Sequence, residues 1–138
     1  MLKLIILLFI ALMSGDNVVS FETNQLDCKR FKRGVFLLKS PVDKTAWKIE
    51  RLDSIQIETD LTTGIKSVRI LRWLNDCEYE LTIPDSKEKQ GDNLDVKFRK
   101  PPIITQIVKT AKNYYVFESY REGIDKRYGD TLWIFKGQ

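Results

Sequence analysis

Histidine is absent from this chain. That removes Ser-His-Asp and Cys-His relays, the usual zinc sites and the commonest general base near neutral pH. Proton transfer would fall to carboxylates, lysine, tyrosine or an unusual thiol. No pair of carboxylates stands apart in an apolar context to suggest it. No glycine-rich phosphate loop or calcium-loop spacing occurs, so the sequence names no catalytic residue, metal ligand or cofactor. Cysteine is scarce at two, and no apolar run reaches the ~20 residues that a membrane-spanning helix needs. Charge is not extreme either: a formal +4, with both signs interspersed, is no polyanion-binding signature.

What is present begins at the N-terminus. Lys3 precedes an unbroken apolar run, Leu4–Met13, and Ser14–Ser20 is small and polar. A charged start, a short apolar stretch and a small-residue exit read as a secretory signal peptide over residues 1–20. Residues 21–138 then form one domain, large enough for a core of its own. Export places the protein in a periplasm or outside the cell, makes nucleic acid an unlikely partner, and leaves no stable membrane anchor after cleavage. Cys28 follows Leu26-Asp27 rather than small residues, so no lipid anchor is read. In an oxidising compartment Cys28 and Cys77 are the candidates for a disulfide, two buried free thiols being the rival reading.

The mature chain alternates in strand fashion. Expected strands are Phe31–Lys39, Trp47–Leu52, Ser54–Thr59, Ile65–Leu74, Cys77–Ile83, Leu94–Arg99, Ile103–Thr110, Tyr114–Arg121 and Thr131–Lys136. No segment holds a 3.6-residue apolar period for more than two turns. Eight or nine short strands with turn signals between them point to an all-β domain. A small antiparallel up-and-down barrel, lipocalin-like and of about eight strands, is preferred because closure removes exposed edges; a β-sandwich is the alternative. Trp47, Trp73 and Trp133 are core candidates. The basic and aromatic run Lys29–Phe36 reads as a strand with a solvated basic face.

A two-residue turn at Asn75-Asp76 would set the central register. It opposes Leu74 to Cys77, Arg72 to Tyr79, Ile70 to Leu81 and Val68 to Ile83, all on one face. Arg72 is the anomaly there. An inward guanidinium needs an anion or water, so Arg72 and Tyr79 are candidate ligand-binding residues. The alternative lays Arg72 over the Tyr79 ring near the barrel mouth, its head in water.

Three segments carry a resemblance: Cys28–Phe36, then Ile49-Glu50-Arg51 with Ile55–Glu58, and above all Trp73–Thr82. Together they resemble a family of small exported proteins from Bacteroidetes-type bacteria. The likeness covers most of the mature chain and weakens after Pro84. It implies paired cysteines and a self-standing domain, and it supplies no catalytic residues. Some members carry the label DNA topoisomerase IV, which does not fit a chain with no room for an ATPase or DNA-gate domain.

The expectation is thus a non-enzymatic exported β-barrel, monomeric, that binds a small apolar or amphipathic ligand. The other reading is a protein–protein interaction module of the cell envelope, an inhibitor or accessory factor. Its loops would be Pro84–Asn93 and Glu122–Asp130.

Overall fold

The computed structural model describes residues 25–84 and 100–137. The expected signal peptide, the expected strand Leu94–Arg99 and all of the Pro84–Asn93 loop beyond Pro84 lie outside the described residues.

Eight strands follow a 3₁₀ turn at Lys29–Phe31. They are β1 (Gly34–Lys39), β2 (Ala46–Arg51), β3 (Ile55–Asp60), β4 (Lys66–Asn75), β5 (Glu78–Thr82), β6 (Ile103–Thr110), β7 (Tyr114–Arg121) and β8 (Ile124–Ile134). Each pairs antiparallel with its neighbour in sequence, and β1 returns to pair with β8, through Phe36 opposite Ile134 and Leu38 opposite Leu132. The chain is therefore a closed up-and-down barrel and not a sandwich.

Side-chain alternation explains why the sheet closes this way. Phe36 and Leu38, Trp47 and Ile49, Leu71 and Trp73, Tyr79 and Leu81, and Tyr115 and Phe117 hold inner positions on β1, β2, β4, β5 and β7. Ring closure satisfies the backbone groups that an open sheet would leave at its edges.

The strand directions give the barrel two distinct ends. Turns 40–45, 61–65 and 122–123 share one end; turns 52–54, 76–77 and 111–113 share the other, together with the 3₁₀ turn. The tightest packing is at this second end, where Phe31 and Tyr115 are fully buried with ring centroids 5.0 Å apart and Phe36 lies 6.1 Å from Tyr115. Gly34 opens β1 with φ +131°, a region that L side chains rarely adopt, which lets the chain leave the 3₁₀ turn and enter the barrel wall.

Four expectations are corrected. The β4–β5 turn is Asp76-Cys77, not Asn75-Asp76: the Asn75 side chain accepts the Cys77 N–H at 2.9 Å, and the register shifts between Trp73 and Asn75. Trp73 therefore faces Tyr79, Leu71 faces Leu81, and Arg72 faces Glu80. A one-residue slip exchanges the two faces of β4, so Val68 and Ile70 lie on the outside.

Secondly, Glu122–Asp130 is not a long loop. Only Glu122-Gly123 turns, with Gly123 at φ +76°, and β8 starts at Ile124. Thirdly, Lys29–Phe31 is helical rather than extended, so β1 starts at Gly34. Lastly, Trp133 is on the exterior, 43 % exposed, and packs on Tyr114 with centroids 4.7 Å apart.

Candidate functional site

The closed end is held by covalent and polar contacts. Cys28 and Cys77 form a disulfide that fastens the 3₁₀ turn beneath the β4–β5 turn. Asp76 in that turn receives the Lys32 ammonium at 2.9 Å and lies 3.6 Å from that of Lys29. The Lys32 hydrogen bond, against the opposing effect of burial and with the help of the Lys29 and Lys32 charges, holds the Asp76 carboxyl below the usual carboxylate range.

Above this plug lies Arg51, the last residue of β2 and 2 % exposed. Its Nε donates to Gln56 Oε1 at 2.8 Å and its Nη1 to the Phe31 carbonyl at 3.1 Å. Nη2 donates to the hydroxyls of Tyr79 and Tyr115, at 2.5 and 2.6 Å. The guanidinium also lies 4.4 Å from the Tyr79 ring centre and 5.2 Å from that of Phe36. Every one of these partners is neutral. The nearest compensation is relayed: Gln56 accepts from Arg51 and donates through Nε2 to Glu58 Oε1 at 3.0 Å, so an amide dipole joins the buried cation to a carboxylate.

The open half of the barrel is hollow. A cavity of about 720 Å³ runs from the Arg51 cluster toward the end formed by the β7–β8 turn. Apolar wall comes from Leu38, Trp47, Ile49, Leu81, Ile103, Phe117 and Leu132 on six strands. Several of the polar lining groups engage one another. Thr105 and Ser119 share a hydrogen bond of 2.7 Å across β6 and β7. Glu58 accepts from Gln56 and, at 3.3 Å, from Ser67 Oγ, while Arg69 Nε lies 3.6 Å away. That separation is too long for a hydrogen bond, and Arg69 Nε is buried without one. Arg121 and Lys126 stand by the open rim next to the β7–β8 turn.

The candidate ligand pair is not brought together. Arg72 is on the outer face, its Nε 2.6 Å from Glu80 Oε1, and the hydrogen bond to Glu80 raises its pKa. Tyr79 does line the cavity. The arginine that meets Tyr79 is Arg51. Its signal is visible in the alternation Trp47, Ile49, Arg51, which carries the β2 inner face one residue beyond its apolar part.

Burial, with the neighbouring Tyr79 and against the Arg51 charge, pushes the Tyr115 hydroxyl well above its ordinary value near 10. Among the described residues no group of three or more acidic or cysteine side chains is placed to hold a metal ion. No family model matches this chain, and no curated protein or solved structure matches it either.

Proposed function

We propose that this protein is a non-enzymatic exported carrier that holds a small apolar or amphipathic molecule inside its barrel. The observation that carries this reading is the cavity: about 720 Å³, closed below by the disulfide-fastened plug, open above among the described residues, and with a largely apolar wall. That volume lies within the ~300–1,000 Å³ typical of small-molecule sites, and a few placed polar groups in an apolar wall are their usual chemistry. Among the described lining residues Glu58 is the one carboxylate, and three partners surround it, which suits positioning rather than proton transfer. The crosslink supports an oxidising compartment. Ring closure, which leaves no open sheet edge, supports a monomer.

The test uses the neutral fluorophore N-phenyl-1-naphthylamine with the purified, oxidised protein. Saturable one-to-one enhancement is expected, accompanied by quenching of Trp47, and Leu38→Trp should abolish it by filling the upper wall. A folded wild-type protein that takes up none of the probe would overturn the reading.

A second reading has its own observation. Ile55 faces Ile70 and Ile57 faces Val68 across the outer surface of β3 and β4, with Val68 44 % and Ile70 45 % exposed. Such an apolar patch suits a protein partner. Partner retention that survives Leu38→Trp but is lost in Val68→Lys would assign the function to this face; retention unchanged in Val68→Lys would remove it.

A further inference from the structure

We infer that the ligand is an anionic amphiphile, an apolar chain bearing a single carboxylate or a similar anion, seated with its charged end at the rim beside Arg121 and Lys126. The inference rests on the reading of the cavity as a small-molecule site and adds the chemical class and the orientation.

Charge supplies the class. Among the described residues, the charged side chains lining the cavity are three cations, Arg69, Arg121 and Lys126, against one carboxylate, Glu58. Glu58 is already bound to Gln56 and Ser67 and faces Arg69, so its charge is spent within the wall. Asp130 holds an inward register position opposite Phe117, but it does not line the cavity, and its carboxylate accepts the Thr131 N–H. Beneath the floor lies Arg51, another buried cation with neutral partners. A hollow with low-dielectric walls and an excess of one sign concentrates its field on the opening. Anions are drawn in, and cations are repelled.

Position supplies the orientation. Arg51 cannot serve as the anion site, because four of its five N–H donors are committed to Gln56, the Phe31 carbonyl, Tyr79 and Tyr115. Recruiting them would leave buried acceptors unpaired at the plug, which is costly. The two rim cations are differently placed. Arg121 donates through Nη1 to the Pro101 carbonyl, which anchors the guanidinium while other N–H groups remain. Lys126 is exposed and rests over the Tyr128 ring at 5.0 Å. Among the described residues neither is paired with a carboxylate. The apolar wall from Leu81, Ile49 and Phe117 lies below them. A chain placed tail-down therefore meets hydrocarbon along its length and cations at its head, whereas the reverse pose buries the charge among groups already satisfied.

The test compares dodecanoate, dodecanol and dodecyltrimethylammonium, three molecules with the same chain and different heads, as displacers of N-phenyl-1-naphthylamine. Wild-type protein is expected to favour dodecanoate over dodecanol by about tenfold, since two part-exposed ion contacts of ordinary strength multiply to that order. It should reject the trimethylammonium. Raising the salt should shrink the preference, and Arg121→Gln with Lys126→Gln should reduce it to about twofold, dodecanoate affinity falling by more than dodecanol affinity. Thermal unfolding of the double variant confirms that the barrel persists. Equal binding of the three heads, or a preference that survives the double substitution, overturns the inference and leaves the cavity reading standing. Failure of the fluorophore and all three chains to bind the folded protein removes the cavity reading itself.

Discussion

Arg51 fixes the geometry of the closed end because one planar group reaches four acceptors that lie in different directions. A lysine at this position brings a single ammonium on a flexible stem and cannot reproduce the fork. Arg51→Lys should therefore leave at least one buried acceptor unpaired and destabilise the protein by about 2–4 kcal/mol, read from urea unfolding. A variant within a few tenths of a kcal/mol of wild type would show that the cluster tolerates rearrangement. The adjacent phenol gives a prediction in pH. Because the Tyr115 hydroxyl is raised in the folded protein, its contribution is complete below about pH 10, where folded and unfolded chains are both protonated. Above that the unfolded chain alone sheds the proton, so stability falls as pH rises toward the folded value. Absorbance at 295 nm should show fewer than the five tyrosines ionising before the barrel unfolds. Ionisation of all five with the fold intact would contradict the burial of Tyr115.

At the scale of elements, the disulfide and the 3₁₀ turn act together. Cys28 and Cys77 are 49 positions apart, and in the chain-entropy model a crosslink over such a loop stabilises by about 4 kcal/mol. Replacing both by serine should lower stability by that order. Amide exchange should accelerate first at Lys29–Phe31 and around Asp76, with β6 and β7 protected longest. Uniform acceleration over all strands would mean that the plug and the barrel open as one unit. The same elements show what a reader of the sequence can and cannot see. Ile55–Glu58 and Tyr79–Leu81 alternate cleanly, and both are strands. The turn between β4 and β5 depends on the Asn75 side chain standing in for a backbone acceptor, and on Leu74 being absorbed in a register shift. Neither leaves a mark in the alternation, so Arg72 reads as inward when it is not. The first half of β8 is concealed for another reason: Ile124–Gly129 is exposed throughout, so no buried face imprints a period on it.

At the scale of the whole molecule, an all-β domain of eight or nine short strands is legible in pattern and turn spacing, while ring closure, preferred there over a sandwich, is settled by the pairing of β1 with β8. The division into a packed half and a hollow half is not legible there. It arises because Phe31, Phe36, Arg51 and Tyr115 converge at one end from chain positions far apart, while Leu81, Ile103 and Thr105 line empty space. The volume of a cavity is a difference between what the wall encloses and what its side chains fill. Composition fixes neither quantity, which is why Tyr79 was recognisable as a lining residue and the cations that accompany it were not.

The pairing of β1 with β8 bears on how the molecule comes into being. The first strand waits for the last: Leu38 meets Leu132 only once β8 has been made, and Phe31 finds Tyr115 only once β7 has. A polypeptide delivered end-first must remain an open, unsealed sheet until β8 arrives, so closure is a single late event dominated by distant contacts, and such topologies assemble slowly. During that interval the future interior is exposed to the surroundings, and the barrel is most vulnerable to capture or aggregation before it has an inside.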